Sequence, residues 1–422
     1  MYAGGGLSPR TSDQAVISQA RTAALRKLTG KTADLQQMKE ADHRLAERIV
    51  AQVQQNGRFL DACLQEYAET PLSRLRPDVL AILRLSAAQL LFFERVPASA
   101  AVNDAVAMCR RNKAPYAAGF VNAVLRRVAA DRDRLLSADR EPAVRYSHPD
   151  WLADLLREQF DEETMLGFMK ANQEIPSLCL QVNTLRIPFQ DYLRMISDQG
   201  IIIRSVNEPL ASLRTDSIPV ESLPGYHEGL FYIQDDAARM AVKLALVGQG
   251  QKVLDACAAP GGKSMAAALD GAEQITACDI STVRLKRCRE NFSRLSLKIP
   301  TCCADAAEFR AEWERTFDVV LADVPCSGTG IIRKQPEIRT KSREDMESLL
   351  PVQSGILNNL SRYVRPGGIL LYSTCSVLKN EDECQTAAFL RSHPEFMLEE
   401  EFRSWPQYSG NDGFYAARIR RQ

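Results

Sequence analysis

The sequence predicts a multidomain chain: an all-α bundle over residues 1–140, a small α+β unit over 141–235, and an α/β domain with a parallel sheet over 236–422. Three observations carry this expectation. The 422 residues exceed what one ordinary core accommodates. Apolar residues recur at helical spacing through the first third. From about Asp236 onward, short apolar strands alternate with helical segments, which argues for a parallel sheet with helices on both faces.

Residues from about 13 to 136 read as almost wholly helical. Val79, Leu80, Leu83, Leu85, Ala87, Leu90 and Leu91 follow helical spacing, and Pro77 opens that helix, where its missing N–H costs little. Pro97 and Pro115 punctuate later helices. A helix from about Ala117 to Ala130 gathers Phe120, Val121, Val124, Leu125 and Val128 on one face. Arg126 and Arg127 near its end suit the negative pole of the helix. Pro142 and Pro149 mark a linker near 140–149. In the middle unit, strands are predicted at Leu178–Asn183, Gly200–Arg204 and Leu230–Ile233, with a helix over Phe189–Asp198. In the third unit, strands are predicted at Val253–Ala256, Ile275–Asp279, Ile299–Cys302, Phe317–Ala322 and Ile369–Thr374, and a long helix from about Arg343 to Val364. Ligands of open parallel sheets bind at the carboxyl ends of the strands. Every chemical motif described next falls there.

Composition is that of a globular protein, 45% hydrophobic and 25% charged. The formal net charge is zero, so any basic surface for a nucleic acid has to be local. The eleven cysteines include one adjacent pair, Cys302-Cys303, and no repeated CxxC. Neither a disulfide framework nor a zinc site is indicated, and reduced thiols in the cytoplasm are expected. His43, His148, His227 and His393 all stand away from the glycine loop, which disfavours histidine-based catalysis. No apolar run reaches the length of a membrane span, and Met1 to Gly6 lacks the pattern of a secretory signal.

Val253 to Ser264 reads as strand, tight loop and helix around Ala258-Ala259-Pro260-Gly261-Gly262-Lys263. Gly262-Lys263-Ser264 matches the end of a phosphate-binding P-loop, but Cys257 occupies the place of that motif's first glycine. Nor is the loop GxGxxG, so a dinucleotide is disfavoured. Asp279 ends the next strand, where a carboxylate accepts ribose hydroxyls. Asp305 ends the third, where it can accept from an adenine amino group. A tight turn with helix-capping aspartates would account for the loop by itself. With both acids in register, the loop reads as the site of a nucleoside without phosphates, S-adenosylmethionine.

Asp323-Val324-Pro325-Cys326-Ser327-Gly328-Thr329-Gly330 ends the fourth strand, and Tyr372-Ser373-Thr374-Cys375-Ser376 ends the fifth. Buried structural cysteines are common, so either thiol alone says little. Two of them at strand ends beside a cofactor loop point to covalent catalysis. Carbon 5 of a cytosine is a poor nucleophile; a thiolate added to carbon 6 makes it enamine-like and able to take a methyl group. Asp323 is placed to hold the N3 edge of such a pyrimidine. Spacing does not rank the two thiols. Downstream, Arg333, Lys334, Arg339, Lys341 and Arg343 form a basic run opposed only by Glu337, suited to a phosphate backbone or to plain solvation.

These motifs resemble those of the bacterial RNA cytosine-5 methyltransferases of the Sun/Fmu (RsmB) group. The resemblance rests on Asp255 to Lys263, Ala322 to Gly330, Tyr372 to Ser376 and Asp412 to Ala416, and extends over nearly the whole chain. It implies a NusB-like RNA-binding bundle, carried by Arg74-Leu75-Arg76-Pro77 and Gly119 to Arg127. It implies an RRM-like middle domain whose strand Gln181 to Arg186 lies on the RNA side, and a Rossmann-like methyltransferase domain. By the same resemblance Cys375 is the nucleophile and Cys326 assists product release. Cys257, Ala258, Ala259, Pro260, Gly261, Gly262, Lys263, Asp279, Asp305 and Asp323 would line the S-adenosylmethionine site. Arg333, Lys334, Arg339, Arg126 and Arg127 are the candidate RNA contacts. The enzyme so implied is a cytoplasmic monomer that acts on 16S ribosomal RNA, with no metal and no membrane attachment. Transfer RNA as the substrate is one alternative, and a non-catalytic, antitermination-type RNA-binding factor is another. Val324 stands where that group usually has alanine.

Overall fold

The computed structural model describes residues 18–32, 38–216 and 218–422. The readings of Met1 to Gly6 and of helix over residues 13–17 lie outside the described residues. The chain forms two compact units, residues 1–148 and 149–422.

The first unit is helical. Its centre is the helix Pro77–Phe92, whose Val79, Ile82, Leu83, Leu85, Ala88 and Leu91 are all buried. A helix apolar on every side belongs inside a bundle, and the helices Gln19–Leu28, Glu40–Gln55, Ala98–Arg111 and Ala118–Ala130 surround it. Val121, Val124, Leu125 and Val128 face this core, while Arg126 and Arg127 point to solvent. The segment read as a linker carries a short helix, Pro142–Arg145, and packs with this unit.

The second unit begins with the helices Asp150–Gln159 and Glu162–Ala171 and then builds two sheets. The smaller contains β1 (Leu178–Val182), β2 (Ile203–Asn207), β3 (Ser212–Thr215) and β4 (Phe231–Ile233), all antiparallel, in the order β2-β3-β1-β4. The helix Phe189–Asp198 covers one face through Tyr192 and Ile196, which pack on Leu180, Leu213 and Phe231. One expectation is corrected. The second strand starts three residues later than predicted, and Ser212–Thr215 is a strand that the apolar pattern does not predict. Its Ser212, Arg214 and Thr215 are polar, and their burial is made tolerable by pairing rather than by apolar patterning.

The larger sheet contains β5 (Lys252–Asp255), β6 (Gln274–Asp279), β7 (Thr301–Cys303), β8 (Phe317–Asp323), β9 (Val364–Thr374), β10 (Phe396–Ser404) and β11 (Phe414–Arg421). Their order is β10-β11-β9-β8-β5-β6-β7. The five strands from β9 to β7 are parallel; β11 runs antiparallel between β9 and β10. The five predicted strands form the expected parallel sheet, and two further strands make it mixed, because the segment after β10 turns back and inserts its final strand. The long helix expected from Arg343 to Val364 is two helices, Arg343–Glu347 and Leu349–Ser361. Pro351 lies in the first turn of the second, where a proline fits a helix start but not a helix interior. Chain order reverses between β5 and β8, which opens a crevice at their carboxyl ends.

Candidate active site

The loop after β5 closes on itself through Gly261 N–H to the Ala258 carbonyl, 2.6 Å, and is tied to β6 by Ala258 N–H to the Cys278 carbonyl, 2.7 Å. Gly261 has φ +106°, and a Cβ there would stand 2.7 Å from the Phe292 ring, so glycine is required. Asp255, wholly buried, accepts from Ser264 Oγ at 2.6 Å across the turn. Burial pushes its carboxyl up to about 6. Burial, with carboxylates nearby, also raises Cys257 far above the usual thiol, so it keeps its proton.

Beside this loop lies a cavity of about 460 Å³, within the range of small-molecule sites. Cys257 and Ala259 from the loop are in its wall, together with Asp279, Asp305 and Asp323. Ala258, Pro260, Gly261, Gly262 and Lys263 form the turn and the start of the next helix instead of the wall. Asp279 is 2% exposed. Its Oδ1 accepts from Ser281 N–H at 2.8 Å and pairs with Arg284 at 2.8 Å, and its Oδ2 has only a long contact, 3.4 Å, from Ala259 N–H. Asp305 stands two residues beyond β7, in a turn held by Ala307 N–H at 2.8 Å. The wall also includes Ile280, Arg284, Val352 and Ile356, which the sequence reading did not single out. An acceptor with spare capacity at Asp279, a second carboxylate, and apolar surface between them fit a ribose and a purine.

The thiols come together where β8 and β9 end. Cys326 Sγ and Cys375 Sγ are 3.3 Å apart, and each is partly accessible. Gly330 N–H donates to the Cys375 carbonyl at 2.9 Å, and Gly413 N–H to the Gly330 carbonyl at 2.8 Å. A Cβ on Gly330 would meet the Gly413 carbonyl at 2.0 Å. The hydrogen bond to Cys375, then burial, then Glu381 and Asp323 raise Cys326 well above the usual thiol value. Asp323 accepts from Ser373 Oγ at 2.9 Å and pairs with Lys263 Nζ at 2.6 Å. Val324 is buried at the base of this loop.

Three of the cations in the basic run are paired within the fold, Arg333 and Arg339 buried and Lys334 exposed in part. The Arg333 side chain, 4% exposed, binds Asp412 and the Gly410 carbonyl. Lys334 Nζ lies 2.7 Å from Asp412 and 2.9 Å from Asp235. Burial opposes its charge, but the two carboxylates outweigh burial and hold it above the usual lysine value. Arg339 is buried against the Asn172 and Ile332 carbonyls, and burial lowers it to about 10. We expect Lys334→Met to lower stability by about 2 kcal/mol, the scale of lost charge-assisted hydrogen bonds, while the salt dependence of RNA binding stays unchanged. Denaturant unfolding and a salt series of binding titrations measure both. Gln181 and Asn183 also turn inward, to Asp236 and to the Gly229 and Leu295 carbonyls, so their side chains anchor the small sheet rather than face a ligand.

Among the described residues, no cluster of histidine, cysteine and carboxylates could hold a metal ion, and no helix is long and apolar enough to cross a membrane.

The fold and this site define a methyltransferase of the S-adenosylmethionine-dependent class. Residues 241–420 match the family model described as 16S rRNA methyltransferase RsmB/F. Residues 10–130 match the NusB family and 148–229 the RsmF/B-like ferredoxin-like domain. The chain is 33% identical over 404 residues to ribosomal RNA small subunit methyltransferase B of Pseudomonas putida, covering 92% of each chain. It is 34% identical over 399 residues to the protein of that name from Vibrio cholerae, covering 92% of this chain and 91% of that one. The chain belongs to the 16S rRNA methyltransferase RsmB/F family. Among solved structures, PH0851 shares the fold at TM-score 0.77 and 23% identity, over 96% of this chain and 97% of that one. A methyltransferase homolog from Pyrococcus horikoshii aligns at TM-score 0.58 and 25% identity, over 67% of this chain and 98% of that one. The NusB-like bundle, ferredoxin-like middle domain and Rossmann-like methyltransferase domain are thus all present.

Proposed function

We propose that this protein transfers a methyl group from S-adenosylmethionine to carbon 5 of a cytidine in 16S ribosomal RNA, through a covalent bond between Cys375 and carbon 6. The observation that carries this reading is the thiol pair, 3.3 Å apart, beside Asp323 at the edge of a nucleoside-sized cavity. The target base must leave its stack, or be unpaired, to reach it.

In this reading Asp279 holds the ribose and Asp305 the adenine edge of the cofactor, whose contribution is an electrophilic methyl group. Cys375 adds to carbon 6, and the electron pair of the 5,6 double bond moves to carbon 5. Asp323, whose carboxyl also contacts Lys263, meets the N3 edge with a proton: N3 is an acceptor, so Asp323 donates to it and gives up that proton as negative charge develops on the ring, leaving a carboxylate paired with Lys263. After carbon 5 is methylated its proton passes to solvent, the double bond re-forms, and the bond from carbon 6 to Cys375 breaks. Cys326 supports that departure: its raised pKa keeps a proton 3.3 Å from the leaving sulfur. The RNA contacts proposed now rest on Arg126 and Arg127, which stand exposed on the first unit. The enzyme acts in the cytoplasm as a monomer and without metal.

Asp279→Ala should weaken S-adenosylhomocysteine binding roughly 10- to 100-fold, the scale of a lost hydrogen bond to a charged group, as read by calorimetric titration. Mapping 5-methylcytidine in RNA from cells with and without the protein tests the target. Loss of one 16S site is the expected result; loss of a transfer-RNA site with 16S unchanged would overturn the substrate, and no change anywhere would overturn the reaction.

A further inference from the structure

Glu381 is wholly buried, yet four uncharged donors converge on its carboxylate. Ser327 N–H donates at 2.7 Å and Gln353 Nε2 at 3.0 Å, both to Oε1. Ser376 Oγ donates at 2.6 Å to Oε2, which also accepts from Ser327 Oγ. Ser327 follows Cys326 in the chain, and Ser376 follows Cys375. One carboxylate therefore binds the residue next to each thiol. The link is reinforced by Thr329 Oγ1, 3.1 Å from Ser376 Oγ, and by Gln353, which also donates to the Pro325 carbonyl at 3.0 Å.

We propose that Glu381 is the positioning residue of the thiol pair: its carboxylate bridges the two cysteine loops and sets the contact between Cys326 and Cys375. This rests on the reading of the two thiols as partners in one reaction. A carboxylate suits the task because it accepts on both oxygens at once, and all four donors here need an acceptor. A glutamine keeps the shape but turns a donating NH₂ toward donors, so at least one of them is left unsatisfied in a buried site. The loops then separate, and the proton that Cys326 holds for Cys375 moves out of reach. Glu381 itself touches neither sulfur in the hydrogen-bond network; it sets their spacing, and its charge also raises the Cys326 thiol, a contribution that Ser376→Ala leaves in place.

The test measures thiol proximity directly, in the full chain without RNA or cofactor. The protein is equilibrated in buffers of reduced and oxidised glutathione, and the Cys326–Cys375 disulfide is counted by peptide mass mapping. Two thiols in contact form a disulfide at high effective concentration. Glu381→Gln is expected to need at least about a ten-fold more oxidising glutathione ratio for half formation, one hydrogen bond's worth of lost organisation. Its turnover number is expected to fall on the order of 10²-fold with KM for RNA unchanged, as for an ångström-scale misplacement of reacting groups. An unchanged disulfide equilibrium in folded Glu381→Gln overturns the proposal, as does a native protein that forms no such disulfide. Ser376→Ala deletes a single donor and serves where the glutamine variant does not fold; it is expected to shift the equilibrium the same way by a smaller factor, and no shift overturns the proposal. Because this readout needs no methyl transfer, it separates the bridge from the substrate assignment: a normal shift in an enzyme that methylates no RNA leaves the bridge standing and removes the reaction.

Discussion

Cys375→Ala is expected to abolish methyl transfer, with a rate loss on the order of 10⁶-fold, as when a covalent nucleophile is deleted. Without the sulfur, carbon 5 keeps its aromatic character and has no electron pair to offer. Cofactor binding should persist, because the cavity wall is made by other residues, with Asp279 and Asp305 among them. Folding should persist too: Cys375 is partly exposed, and its bonded contact with Gly330 uses the main-chain carbonyl. Single-turnover assays with labelled cofactor, paired with a binding titration, measure the two quantities separately. Full activity in this variant would sink the covalent reading.

Cys326→Ala should leave the first half of the reaction intact and stall the second. The variant is expected to accumulate as a protein–RNA complex stable to denaturing electrophoresis, with about one methyl group transferred per enzyme and multiple turnover slowed roughly 10²- to 10⁴-fold, the range of lost acid–base assistance. The physical reason is contact: the hydrogen bond with Cys375, then burial, hold the Cys326 thiol above its usual value, so a proton stands 3.3 Å from the departing thiolate. A variant that releases RNA normally and leaves no denaturation-resistant complex would remove Cys326 from product release.

The extent to which this architecture was legible beforehand follows from how local each feature is. The helix over Phe189–Asp198 and the strands around β5, β6 and β8 are written in short-range periodicity, and the structure places them within a residue or two of the reading. The inserted β11 was missed because its neighbours are chosen at long range: Tyr415 pairs with Thr374 on one side and Arg403 on the other. The acids at strand ends were visible because strand ends converge at the crevice in any sheet of this type. The fate of the basic run was not. Lys334 looks free in sequence, and its partners Asp235 and Asp412 lie 99 and 78 residues away. Glu381 escaped notice for a related reason, since its donors at Ser327 and Gln353 are 54 and 28 positions distant.

The contact between Gly330 and Gly413 ties the first thiol loop to the turn that leads into β11. Synthesis delivers both cysteines and Glu381 before that turn, so the loop bearing Cys326 can meet its other partners first and gains its tie to Gly413 when β11 enters the sheet. The strand that completes the sheet is thereby also the one that fastens the outer side of the thiol loop, so loss of β11 would loosen the site as well as the sheet.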